Sequence, residues 1–243
     1  MGASASSDEL GPLGTAAVAE ITQFDADRLR VLKQLFLAIV TPSSADDDCE
    51  GDTGGALSHH RSLSYHAQHA RRHEPNLRHT QFLEALESTD FFSSDVAIFE
   101  RMFTLLDRTG DEVIFAHEFL IGVCALLRGD LAAKLQVAFE LLHEESSQPI
   151  SKDDVVFVLH TMNQTATYFG DPVVMRRTVL SVVDDVFALR DSAGVDLIQG
   201  DVQQADPALK SEASSGPALP SPEVAARVVQ HPVVEQYLQG QLV

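Results

Sequence analysis

The chain has 243 residues, of which 36 are acidic and 17 basic, for a formal net charge of −19. Hydrophobic residues make up 44% of it, enough to build a core, which sets aside wholesale disorder. The acidic balance suits no sequence-independent contact with nucleic acid, which needs Lys and Arg to neutralise phosphates. The two cysteines, Cys49 and Cys124, make no disulfide framework and fit a reducing, cytoplasmic setting.

No membrane span is expected. The longest apolar runs, such as Val31 to Val40, are interrupted by Lys33 and Gln34 and fall short of about 18 residues. A secretory signal is not expected either, because no basic stretch leads into an apolar run.

Residues 1–22 are small, polar and acidic and read as a flexible tail. The chain opens Met-Gly-Ala-Ser-Ala-Ser, which places Gly2 and Ser6 where N-myristoylation wants them. One acyl chain binds a membrane only marginally. Asp8 and Glu9 follow in place of a basic cluster, so the expected membrane contact is weak, and a protein groove is the other destination.

Asp25 to Val40 carries Leu29, Val31, Leu32, Leu35, Phe36 and Ile39 at helical spacing, and Thr41-Pro42 stops it. An insertion is expected over 41–77, acidic at first and then rich in His and Arg. Residues 57–80 hold six of the ten histidines, with four arginines against one glutamate. His66, His69 and His73 share one helical face and could take zinc or copper, but a solvated basic arm is the simpler reading. With Arg61, Arg71, Arg72 and Arg78 such an arm would suit an acidic surface such as tubulin or anionic lipid.

Helical patterns resume at about 78–88, 92–106, 116–128, 130–142, 152–163 and 171–189. A linker rich in Pro and Ser occupies about 204–221, and a last helix about 222–240. Two lobes follow, 23–128 and 129–205, with 206–243 as linker and C-terminal helix. Helix–loop–helix units recur around loops 107–118, 143–154 and 190–201, which is the EF-hand plan. The expected fold is all-α, of paired EF-hand lobes with degenerate calcium loops.

A calcium loop needs oxygen ligands at positions 1, 3, 5, 7, 9 and 12, Gly at 6 and an apolar residue at 8. Loop 107–118 supplies Asp107, Thr109, Asp111, the Val113 carbonyl and Glu118 as candidate ligands, with Ile114 at position 8. It departs at position 6, where Glu112 replaces the glycine that reaches φ > 0 without cost, and at position 9, where Phe115 cannot hold a bridging water. The second loop begins with His143 and ends in the short Asp154; the third begins with Arg190. Both are expected to be ion-free. Ser151 and Asp154 form a capping-box-like start to the next helix. Ile150 and Leu197, each at position 8, are expected to pair. Calcium is thus at most a weak ligand at one site.

The runs Phe99-Glu-Arg-Met-Phe-Thr-Leu-Leu-Asp107, His117-Glu-Phe-Leu-Ile-Gly-Val123 and Leu126-Leu-Arg-Gly-Asp-Leu-Ala-Ala-Lys-Leu135 resemble the neuronal calcium sensor and calcineurin B superfamily. Within it, Phe24-Asp-Ala-Asp27 and the tail Ala226-Arg-Val-Val-Gln-His-Pro-Val-Val-Glu235 are most similar to calaxin-like axonemal EF-hand proteins. That resemblance implies an adaptor or calcium sensor of the ciliary or flagellar axoneme, in contact with dynein-arm or docking-complex proteins and tubulin. The alternative it implies is a myristoylated membrane-associated sensor or a phosphatase regulatory subunit. EF-hand lobes take an amphipathic partner helix in an apolar groove. Phe103, Phe119, Leu120, Phe139, Leu142, Val158 and Met162 are the candidates for groove or core, and Val228 to Leu242 is apolar enough to fill a groove of its own. No Gly-rich phosphate loop and no nucleophile–base–acid set stands out, so no enzyme is expected.

Overall fold

The structure is a computed structural model and describes residues 13–40, 76–143, 148–193 and 218–238. Helix α1 spans Leu13–Ile21 and α2 spans Ala26–Val40. Asp25 starts α2 by accepting the Arg28 amide at 2.9 Å, which satisfies one of the four free amides of the first turn. The buried face of α2 carries Leu29, Leu32 and Phe36, at the three- and four-residue steps of an amphipathic helix.

Strand β1, Asn76–Arg78, leads directly into α3, His79–Glu87. Helix α4, Ser93–Leu106, is joined through strand β2, Val113–Phe115, to α5, Ala116–Cys124. β1 and β2 pair antiparallel, with Leu77 opposite Ile114 and both side chains buried. Two three-residue strands are not stable alone in water. This ribbon persists because α2, α3, α4 and α5 close over its buried face.

The second half repeats the plan. It comprises α6, Leu131–Leu142, α7, Lys152–Tyr168, α8, Arg176–Ala193, α9, Ser221–Val229, and α10, Pro232–Leu238. Asp130 caps α6 by accepting the Ala133 amide at 2.8 Å. Ser151 and Asp154 form the expected reciprocal box on α7, each side chain accepting the other's backbone amide, at 3.2 and 2.9 Å. Ile150 and Leu219 form an antiparallel bridge, with N–H to carbonyl distances of 2.7 and 3.0 Å in the two directions.

Four apolar residues therefore meet in two pairs, Leu77 with Ile114 and Ile150 with Leu219. Each stands two residues before a helix, at His79, Ala116, Lys152 and Ser221. That recurrence corrects the sequence reading in the second half. Ile150 pairs with Leu219; Leu197, the expected partner, lies outside the described residues. Arg190–Ala193, expected to open the third loop, instead continue α8.

Three smaller differences follow from local chemistry. The insertion ends before residue 76, because Asn76 and Leu77 belong to β1. Residues 13–21 of the expected tail form a helix whose two ends are satisfied by distant side chains, described below. The last helix is two helices, divided at Gln230-His231. Pro232 brings no amide and biases the residue before it away from helical geometry.

One hydrophobic core runs through both halves. Its densest part is a set of phenylalanines. Phe119 is fully buried and lies 5.0 Å from Phe82, 5.7 Å from Phe99 and 5.9 Å from Phe36, all in edge-to-face orientations. Such pairs add about 0.5–1.5 kcal/mol each beyond area burial.

Candidate functional site

The loop after α4 adopts the conformation its residues require. Asp107 draws three backbone amides onto one carboxylate: Oδ1 accepts from Gly110 and Asp111 at 2.8 and 3.2 Å, and Oδ2 from Glu112 at 3.0 Å. The Thr109 hydroxyl donates to Asp111 at 2.6 Å. Glu112 sits at φ 59°, in the left-handed region expected at its position, at a cost of about 1–2 kcal/mol for a residue with a Cβ. The Glu112 carbonyl accepts the His79 amide at 2.9 Å, so the strained residue also ties this loop to the start of α3.

Several of these donors are already engaged within the protein. Both oxygens of Asp107 already accept amides, and Glu118 faces the guanidinium of Arg108 at 3.6 Å. Among the described residues no three His, Cys, Asp or Glu side chains gather as a metal-ligand group. The turn is closed by its own hydrogen bonds, and Arg108 pairs with Glu118 at its far end. In the second loop, His143 Nε2 lies 3.5 Å from Asp154. Gly2, Cys49 and the trio His66, His69 and His73 lie outside the described residues.

The candidate groove residues are placed as core. Phe103, Phe119, Leu120, Phe139 and Val158 are buried, and Leu142 packs on them from a partly buried position. Only Met162 reaches an open cleft. Cys124 is also core: its thiol donates to the Leu120 carbonyl at 3.2 Å, and burial pushes its pKa well up, away from thiolate chemistry.

The open cleft lies in the second half, between α6, α7 and α8, and holds about 390 Å³. Leu159, Met162 and Ala166 of α7 and Val179 and Val182 of α8 form its floor and one wall. Helix α10 lies along it, contributing Val233, Val234, Tyr237 and Leu238. Thr15 and Ala16 of α1 close one end.

What holds α1 there was not visible in its small, weakly patterned sequence. Asp171, buried just after the α7 end, accepts the Gly14 amide, the Thr15 amide at 3.1 Å and the Thr15 hydroxyl at 2.6 Å. At the other end the Arg128 guanidinium donates to the carbonyls of Ala19, Glu20 and Thr22 at 2.9–3.0 Å. Both unsatisfied ends of the helix, and both poles of its dipole, are thus met in trans. The approach is close enough that a Cβ on Gly14 would come 2.2 Å from the Phe169 carbonyl oxygen. The run Leu126 to Leu135, legible only as a junction, now has a mechanical role. Arg128 holds α1, Asp130 caps α6, and Lys134 donates to the Ala125 carbonyl at 2.9 Å.

The interface between the halves carries a titratable histidine. His117, early in α5, is held down to about 4, first by burial and then by the charges of Lys33 and His143. Lys33 in turn donates to the Glu140 carbonyl at 3.2 Å and to the His143 carbonyl. A base whose folded pKa is depressed contributes stability that is whole above its unfolded value near 6.5. That contribution is lost as pH falls toward 4, because the unfolded chain then binds the extra proton. The expected loss is about 3 kcal/mol over that window. Urea unfolding at pH 7 and pH 4.5 should show it, and His117→Gln should flatten the difference. Equal pH slopes in the two proteins would remove His117 from the account.

Comparison with protein-family models, curated proteins and solved structures finds no match to this chain. The fold and site define an all-helical protein with two short β bridges, a covered apolar cleft and, among the described residues, no helix long and apolar enough to cross a membrane.

Proposed function

We propose that the chain is an EF-hand-type adaptor that binds an amphipathic helix of a protein partner in the cleft of its second half, without requiring calcium. The observation that carries this reading is α10. It is a short helix of the chain itself, and its Val233, Val234, Tyr237 and Leu238 line an apolar cleft between α6, α7 and α8. None of these four side chains is fully buried, so α10 borders the cleft loosely, and an apolar surface of this kind suits a longer amphipathic helix.

The EF-hand assignment draws on the four bridge residues, each two residues short of a helix, and on the Leu77–Ile114 and Ile150–Leu219 pairings. The hydrogen-bonded closure of 107–118 and the Arg108–Glu118 pair support an adaptor that keeps its shape without an ion. The axonemal setting comes from the sequence resemblance alone, and a C-terminal tag in ciliated cells would test it.

The direct test is calorimetric titration of the full chain, and of a chain ending at Gln230, with an amphipathic helical peptide bearing Leu and Phe at i, i+3, i+4 and i+7. Truncation is expected to raise affinity at least tenfold, and millimolar calcium to change neither value by more than about twofold. Failure of both proteins to bind would end the adaptor reading at this cleft. Binding that appears only with calcium would restore a sensor and end the ion-independent part.

A further inference from the structure

Even with α10 and α1 in place, the cleft keeps about 390 Å³ open. Protein interiors hold few voids larger than a water molecule. An apolar cavity of about 150 Å³ takes one benzene, so this one has room for roughly a dozen carbon atoms. It also lies inside the range of about 300–1,000 Å³ for small-ligand sites, which are mostly apolar with a few placed polar groups.

The polar groups here are unequal. Asp130 is engaged as the cap of α6, and Asp171 by the amides and hydroxyl at the start of α1. Asn163 spends its amide on Val174, donating to its carbonyl at 3.0 Å and accepting its amide at 3.2 Å. Lys134 is different. Its ammonium lies in the field of the Asp171 carboxylate but has three donors, and among the described residues its one hydrogen bond is to the Ala125 carbonyl, itself on the cleft wall. The same side chain borders a second recess of about 300 Å³ that also contains Arg128. Tyr237 adds a phenol on the α10 side. Burial, and then the Asp171 charge, raise its pKa to about 12, so it stays a neutral donor well into the alkaline range.

We propose that the cleft is a binding site for a free medium-chain fatty acid of about twelve carbons, with the alkyl chain between α7, α8 and α10 and the carboxylate on the Lys134 ammonium. The argument stands on volume, apolar lining and one underused cation, and does not need the adaptor reading. Charge complementarity selects the free acid over an acyl group fixed as an amide or ester, which fills the same space but offers Lys134 no anion.

Calorimetry with dodecanoate and with methyl dodecanoate, both below their aggregation limits, tests this on the full chain produced without acylation. Saturable 1:1 binding of dodecanoate is expected, at least tenfold tighter than that of the ester. Lys134→Met should remove that preference while leaving ester binding within twofold. Because Lys134→Met could disturb the α5–α6 turn, a second variant leaves that turn untouched. Ala16 is exposed at the end of the cleft, and Ala16→Trp should block both ligands with an unchanged thermal midpoint. Equal binding of acid and ester would overturn the proposal in favour of a covalently attached chain, such as an acylated Gly2. No saturable binding, or full binding to Ala16→Trp, would overturn it outright.

Discussion

Leu219→Lys is expected to destabilise the protein by about 4 kcal/mol, measured by urea unfolding. Leu219 is 2% exposed, and its amide and carbonyl both bond Ile150. The substitution removes a buried Leu, worth about 2–5 kcal/mol, and asks the site to accept a charge with no partner beside it. Long lysine stems can carry an ammonium toward water, which keeps the expected loss inside that range. A loss of less than about 1 kcal/mol would mean that Leu219 does not close the second lobe against Ile150.

Phe119→Ala is expected to cost about 3–5 kcal/mol, the usual loss for a buried Phe truncated without collapse of its surroundings. The reason for the upper part of that range is positional. Phe119 touches the rings of Phe36, Phe82 and Phe99, which come from α2, α3 and α4, so one deletion unseats three helices at once. Phe119→Leu keeps most of the volume and should recover more than half of the loss. Thermal unfolding of the two variants side by side measures this. An alanine variant within 1 kcal/mol of the parent would show that the four helices do not share this cluster.

Much of the helical content was legible because it rests on short-range patterns. The α2 face, the Ser151–Asp154 box and the need for φ > 0 at Glu112 are each decided by a few neighbouring residues, and each is found as expected except that Val31 of α2 faces outward and Lys33 is buried. The Leu77–Ile114 pairing is half-visible in the sequence, since position 8 of the loop calls for a partner to Ile114 but Leu77 carries no strand pattern beside the His- and Arg-rich insertion. The cleft was poorly legible. Seven residues were proposed as groove or core, and Met162 alone borders the opening. Periodicity separates the buried face of a helix from the wet one, but it does not distinguish a side chain under a lid from one in the middle of the core. Lys134 and Asp171 were missed as site residues for a related reason, since a lone Lys or Asp carries no pattern at all.

By itself the sequence determined most of the helices between residues 26 and 189, the turn between helices at 107–118 and the acidic, mostly helical character of the chain, because caps, turns and amphipathic faces are local choices. Only the tertiary structure decided that Leu219 closes against Ile150, that α1 is held at both ends by Asp171 and Arg128, and that α10 lies over an unfilled cleft. Those contacts join residues 69, 156 and 109 positions apart. Many partners at such separations satisfy the same hydrogen-bonding and burial needs, and only the packed chain selects among them.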